Sequence, residues 1–381
     1  MKIIHLSDLH IGVSLINKNL LDDQKYILEK IVDIAVEEKP DAVIIAGDVY
    51  DKAMPSAEAV SVFDGFITSL SEALPEAEIM VISGNHDNIQ RINIFRNILS
   101  SHRIHMVGKP PENPDEYIEK VTLSDDYGDV NFYLLPFIKP SYVKKITGEN
   151  LSYNDSVHKM IERENIDISA RNVLVSHQYY VRSGESPENT ERMESETVTV
   201  GNIDSVTADI LDIFDYSALG HLHKPSHVNN EFQRYCGTPL AVSFSEAEQK
   251  KGVIIVEMGG KGDIKTSVRE LVPMRKLKVI RGAFLEMTAD KFTEDFVSLE
   301  ITDRSGMKKG DAHRELKSVF PNLLEIKMNN IRENNYSRKS LTDRKKTDVF
   351  EMCCSFLNNP SKAEMAVIQE IINSLGEDTE I

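Results

Sequence analysis

Short apolar runs recur along the first part of the chain, at residues 2–6 (KIIHL), 41–46 (DAVIIA) and 79–83. Runs of this length, bounded by turn residues, predict buried strands. Between them the apolar positions fall at helical spacing. Leu20, Leu21, Ile27, Leu28, Ile31, Ile34 and Ala35 make one such face as far as Pro40; Val60, Phe63, Ile67 and Leu70 make a second after Pro55. Strand alternating with helix predicts an α/β layer with a largely parallel sheet. Further strands are expected at 130–135, 172–176, 215–219, 232–236 and 252–257. The polar, turn-rich stretch 182–200 reads as a surface insertion.

The pattern changes at Pro273. Residues 275–281 and 296–302 alternate like strands, 311–319 fit a helix and 323–328 fit another strand. The expected organisation is a main domain over 1–272, a small α/β capping domain over 273–332 and a basic linker over 333–346. The segment 347–381 then carries two helical patterns, 347–357 and 361–375, divided by Asn358-Asn359-Pro360.

A chain of 381 residues suits two or three domains. It has no apolar run near the roughly 18–20 residues of a membrane span, and its first residues do not pair a basic region with an apolar core. Cys236, Cys353 and Cys354 are too few and too unevenly spaced for a disulfide framework or a cysteine zinc site, so a reducing, cytoplasmic setting is expected. The net charge of −17 argues against a stand-alone DNA binder. It is unevenly spread: residues 273–350 hold 17 Lys and Arg against 12 Asp and Glu, a net of +5, which leaves −22 for the rest. Bound cations can supply the positive charge that an acidic enzyme needs to hold a phosphate.

The candidate chemistry lies in five clusters. In chain order these are Asp8-Leu9-His10, Gly47-Asp48-Val49-Tyr50-Asp51, Gly84-Asn85-His86-Asp87, Ser176-His177 and Gly220-His221-Leu222-His223. Each follows an apolar strand-like run, where an open α/β sheet places its active site. Side chains two apart on an extended segment point the same way, which would pair Asp8 with His10 and His221 with His223. Gly47 lets the backbone approach closely before Asp48, whose two oxygens could bridge two cations. With the amide oxygen of Asn85, the set Asp8, His10, Asp48, Asn85, His177, His221 and His223 offers seven O and N ligands. Two ions about 3.5–4 Å apart can activate a water and steady charge on a phosphate. Any one such cluster is commonly a loop or a cap, but five behind five strands are not. His86 is placed to face the metals without binding them and to assist a leaving oxygen. Asp87 is expected to fix its loop, and Asp51 to orient a neighbour or cap the next helix. His5 reads as core; His102, His105, His158, His227 and His313 read as surface or structural.

Taken together, the five clusters resemble the calcineurin-like metallophosphoesterases, a sandwich fold, over residues 8–223. A narrower resemblance, to the SbcD family of nuclease subunits, rests on HLSDLHIG, IIAGDVYDKAMPS, VISGNHD, YSALGHLHKP, RYCGTPLAVSFSEAEQKKGV and LVPMRKLKVIRG. It covers residues 1–285 strongly, and beyond them only the layout matches. The resemblance implies a first metal on Asp8, His10, Asp48 and His223, and a second on Asp48, Asn85, His177 and His221. His86 would be the catalytic histidine and manganese the ion, a hard ion suited to ligands without Cys. It further implies a double-stranded DNA exonuclease that also cuts single strands and hairpins, working with an SbcC-type ATPase. This chain has no Walker-type loop of its own. The family pairs through the helices expected near 56–72 and 89–99, where Phe63, Phe66, Ile67, Ile92, Phe95 and Ile98 exceed the needs of one sheet face. A homodimer is expected there, with 347–381 as the SbcC-docking segment. The competing readings are a general phosphoesterase acting on nucleotides or phosphoproteins, and a scaffold that holds SbcC at DNA ends.

Overall fold

Lys2–Leu6, Ala42–Ala46 and Glu78–Ile82 form strands where the short apolar runs predict them, and they lie side by side in parallel. The computed structural model describes residues 1–184, 204–288, 292–303 and 314–328. The linker at 333–346, the helical patterns beyond it, most of the 182–200 insertion, His313 and the start of the helix expected at 311–319 lie outside these residues. All the described residues belong to one unit, Met1–Asn329.

The sheet grows beyond a parallel layer. Ile104–Val107 extends it in parallel on one side, while Gly252–Met258 and Ile264–Glu270 close the other side antiparallel. Six further strands make a second sheet. Its order is Ser226–His227, Gln233–Tyr235, Tyr216–Gly220, Arg171–His177, Gly128–Leu135 and Glu119–Asp125. Alternate residues of the two sheets meet face to face. Ile44, Met80 and Ile82 from the first pack with Phe132, Val173, Val175 and Ala218 from the second.

The outer faces are covered by helices. The helix α1, Leu21–Glu38, buries Ile27, Leu28, Ile31 and Ala35 in the cluster that holds Ile4, Val43 and Val81 from the first sheet. The helix α2, Ala57–Ala73, joins the same cluster through Phe63, Phe66, Ile67 and Leu70. Its N-cap is Ser56, whose hydroxyl accepts from Ala59 N at 3.2 Å, so Asp51 does not cap this helix. On the far side Val143, Ile146, Val157, Met160 and Ile161 pack with Leu174 and Leu219 of the second sheet. The result is helix, sheet, sheet, helix. Among the described residues no helix is long and apolar enough to cross a membrane.

One predicted helix breaks. Residues 89–99 form two short helices, Ile89–Ile92 and Arg96–Ser100, because Asn93 turns its side chain to accept from Gly108 N at 2.9 Å and Phe95 takes a left-handed φ of 59°. Phe63, Phe66, Ile67 and Ile92 all turn inward. Phe95 and Ile98 stay exposed, as does Ile94 beside them in sequence.

After Pro273 the strands Leu277–Gly282, Phe296–Ile301 and Leu323–Met328 form a separate parallel sheet. Its core is Phe284, Val297, Leu299, Leu316, Phe320 and Ile326. Arg275 holds this sheet to α1 through paired hydrogen bonds to the buried Asp23 carboxylate, at 2.8 and 2.7 Å, and its guanidinium lies over the Phe296 ring. A planar fork matched to a carboxylate in this way fixes orientation as well as distance.

Candidate metal centre

The parallel strands of the first sheet end together, and the chain leaves each into the same place. Asp8 lies two residues beyond Leu6, Asp48 two beyond Ala46 and Asn85 three beyond Ile82. From the second sheet, His177 closes one strand and His221 follows the next. The alternation of an extended segment is not what aims these groups. Asp8, His10, Asp48 and His221 all have positive φ, at 53°, 43°, 49° and 108°. Left-handed backbone at non-glycine residues costs energy and persists only where surrounding bonds hold it.

Those bonds are present. Asp8 N, His10 N and Ile11 N donate to the carbonyls of Gly47, Asp48 and Val49, which zips the first two loops together. Gln24, buried at the start of α1, donates to the carbonyls of Leu9 and His10 and accepts from Gly12 N. Asp87 does the same for the third loop: its carboxylate accepts from Gly84 N, Val49 N and Tyr50 N. Gly84 is needed for this closeness, because a Cβ there would stand 2.2 Å from Asp48 Oδ1.

The seven side chains then converge. His10 Nε2 and His223 Nε2 are 3.0 Å apart. Asn85 Oδ1 is 3.0 Å from both His177 Nε2 and His221 Nδ1. Asp48 Oδ2 lies between the two groups, 3.6 Å from His10 Nε2 and 3.3 Å from His177 Nε2. The Asp8 carboxylate accepts from His221 N and falls within 4.8 Å of ligand atoms in both groups. Neighbouring ligands of an ion with bonds near 2.1 Å stand roughly 3 Å apart, so the spacing suits coordination. Among the described residues three groups could hold a metal ion: Asp8, His10 and His223; Asp8, Asp48 and His177; His10, Asp51 and His86.

Residues 1–225 match the family described as calcineurin-like phosphoesterase. The chain is 30% identical over 97% of its length to the SbcD subunit of the SbcCD nuclease of Staphylococcus epidermidis, covering 96% of that protein. The chain belongs to the SbcD family of calcineurin-like phosphoesterases. Among solved structures it is similar to the GAP50 anchor of the Plasmodium inner membrane complex (11% identity, 86% of this chain, 96% of that one, TM-score 0.42). It is also similar to a dimetal phosphatase from Danio rerio (10% identity, 71% and 96%, TM-score 0.41). Both overlaps are partial, so membership rests on the sequence matches.

The electrostatics of this SbcD-family centre ask for positive charge. Burial drags the His10 ring down to about 3, so it is neutral and its lone pair is free to ligate. Burial pulls His177 down too, but the Asp48 charge beside it outweighs that and lifts the ring to about 9. Burial and the Asp48 charge push Asp87 up to about 6.

His86 sits at the rim, its Nδ1 donating to the carbonyl of Asp51 at 2.8 Å and its backbone N–H to Asp48 Oδ1 at 2.9 Å. With His10, Asp51 and His223 it lines a cleft of about 370 Å³, whose far wall includes Lys327 from the small sheet. His5 is core, bonded through Nδ1 to the Tyr216 hydroxyl, and His105 pairs with Glu78. Motif spacing does not single out Glu246, although it stands inside the SFSEAE stretch that carries the resemblance. It is buried against His223. Burial raises its pKa, but the His223 ring and the Lys251 charge hold it well below the usual carboxylate range.

Proposed function

We propose that this chain is a two-metal DNA nuclease subunit, cutting double-stranded ends exonucleolytically and single strands and hairpins endonucleolytically. In this reading it works in the cytoplasm as a homodimer with an SbcC-type ATPase docked on 347–381. The observation that carries the two-metal part is the position of Asp48 Oδ2 between His10 and His177, as a bridging carboxylate requires. The nucleic-acid substrate is supported by the 30% identity, along nearly the whole chain, to a protein named as a nuclease subunit.

Asp8, His10, Asp48 and His223 would hold one ion, and Asp48, Asn85, His177 and His221 the other. Manganese fits a set of carboxylate, amide and imidazole ligands without Cys. Bound there, the pair would supply Lewis acidity for the phosphodiester and for an attacking water.

His86 supplies the proton. A carbonyl only accepts, so the bond to Asp51 O fixes a hydrogen on Nδ1. A second proton, on Nε2, is then the one available to the departing oxygen. The same bond gives Asp51 its role, as the backbone anchor of the His86 ring. Lys327 also lines the cleft, ion-paired at 3.3 Å with Glu325 of the same strand.

The deciding experiment compares labelled hairpin DNA with a mononucleotide ester, both in manganese and in single turnover. Faster cleavage of the hairpin supports the nuclease. Cleavage of the ester alone would assign the chain to general phosphoesterase chemistry, and cleavage of neither would favour a scaffold.

A further inference from the structure

Glu246 and Lys251 are charged, yet they are 0% and 6% exposed. Lys251 Nζ donates to Glu246 Oε2 at 2.7 Å and to the His223 carbonyl at 2.9 Å. The hydroxyls of Thr238 and Ser243 also donate to Glu246, at 3.0 and 2.9 Å. Taking two charges out of water is expensive, and a packed apolar pair of similar volume is commonly at least as stable. Stability alone therefore does not account for this pair.

The neighbouring ring does. Glu246 Oε1 lies 3.7 Å from His223 Nδ1, just outside hydrogen-bond range, while His223 Nε2 faces His10 Nε2 on the opposite side. A metal-binding histidine commonly donates its other ring N–H to a carboxylate, which fixes the tautomer and aims the ligating lone pair. We propose that Glu246 is the positioning residue for His223, keeping its proton on Nδ1 so that Nε2 is presented with His10 to one of the two ions. Lys251, Thr238 and Ser243 hold the carboxylate in place. The inference rests on the two-metal reading above and adds to it a residue that touches neither ion nor substrate.

The test compares Glu246→Gln with Glu246→Leu, both made on Lys251→Met so that no buried charge is left unpaired. The glutamine keeps an oxygen that can accept from Nδ1; the leucine does not. Calorimetric titration of the full chain with Mn2+ alone should give two sites in the wild type. The leucine version should weaken one of them about 10–100-fold, and the glutamine version should recover most of that loss. A purely structural pair predicts equal Mn2+ affinity in both versions, and that result would overturn the proposal. A wild type that takes up no Mn2+ sinks the two-metal reading itself. A measurement without variants guards against misfolding. Imidazole 15N shifts of the metal-free wild type should place the His223 proton on Nδ1, and finding it on Nε2 refutes the positioning role.

Discussion

Asp48 Oδ2 lies 3.3 Å from His177 Nε2, although different sheets bring the two residues there. Asp48 follows the strand Ala42–Ala46, and His177 closes the strand Arg171–His177. One carboxylate therefore joins candidate ligands brought by both halves of the sandwich.

Asp48→Ala should abolish uptake of both ions. His86→Ala should retain them and lose about 10²–10³ in cleavage rate, the usual cost of one transition-state donor. Metal content by mass spectrometry, measured beside single-turnover rates, separates the two. A metal-free His86→Ala protein would place His86 among the ligands, in the grouping with His10 and Asp51.

Two glycines should respond oppositely to alanine. Gly84→Ala puts a Cβ 2.2 Å from Asp48 Oδ1 and 2.4 Å from Asp48 N, and backbone this tightly tied has little room to yield. A loss of about 1–3 kcal/mol is expected, together with weakened Mn2+ binding. Gly65 lies within α2 with open space around it, so Gly65→Ala should stabilise by about 0.5–1 kcal/mol. Urea unfolding of both variants checks the pair.

Asp125 accepts two hydrogen bonds from the buried Arg171, at 2.5 and 3.1 Å, and these hold its carboxyl far below the usual carboxylate range. A depressed folded pKa contributes stability above the unfolded value of about 4, and loses it as pH falls toward the folded one. Asp125→Asn should therefore cost about 1–2 kcal/mol at pH 7, solvent screening of this partly exposed group included. The gap between variant and wild type should shrink steadily below about pH 4. Denaturant midpoints across that range give the answer, and a gap that does not change with pH would mean the carboxylate charge is not what Arg171 uses.

If the chain pairs through the surface expected for its family, the contact falls on Ile94, Phe95 and Ile98, which are 51%, 71% and 61% exposed. Phe95 also holds a left-handed φ that suits Asn far better than a bulky ring. Phe95→Asn should thus weaken self-association while leaving the monomer as stable as before or more so. Sedimentation of both proteins at tens of micromolar tests this, and a monomeric wild type defeats the dimer.

Strands sealed on both faces are legible in the sequence, because their apolar runs have no other explanation. Ala42–Ala46 is buried at every residue, and its run matches the strand almost to its ends. The edge strands Glu119–Asp125 and Ile264–Glu270 are not legible: both carry mostly polar residues on half-exposed backbone, and only pairing makes them strands. The convergence of Asp8, His10, Asp48, Asn85, His177, His221 and His223 follows from their places behind strands. Strand alternation does not explain the pairing of Asp8 with His10, since periodicity carries no record of the left-handed turns that aim them. Glu246 escapes because a carboxylate between Ser245 and Ala247 looks like any surface turn until tertiary packing buries it.

The carbonyl of Ala46 accepts from His177 Nδ1 at 2.8 Å, and a Cβ on Gly220 would stand 1.9 Å from the same oxygen. The backbone of one sheet is thus riveted to a candidate ligand of the other, at the edge where the proposed metal centre lies. Any loosening of the interior between the sheets must register there first. Trimming a side chain as remote as Phe132 or Met80 would let the halves drift, and the proposed metal centre would act as a strain gauge for that seam. Heat should accordingly erode activity some degrees before the chain as a whole melts.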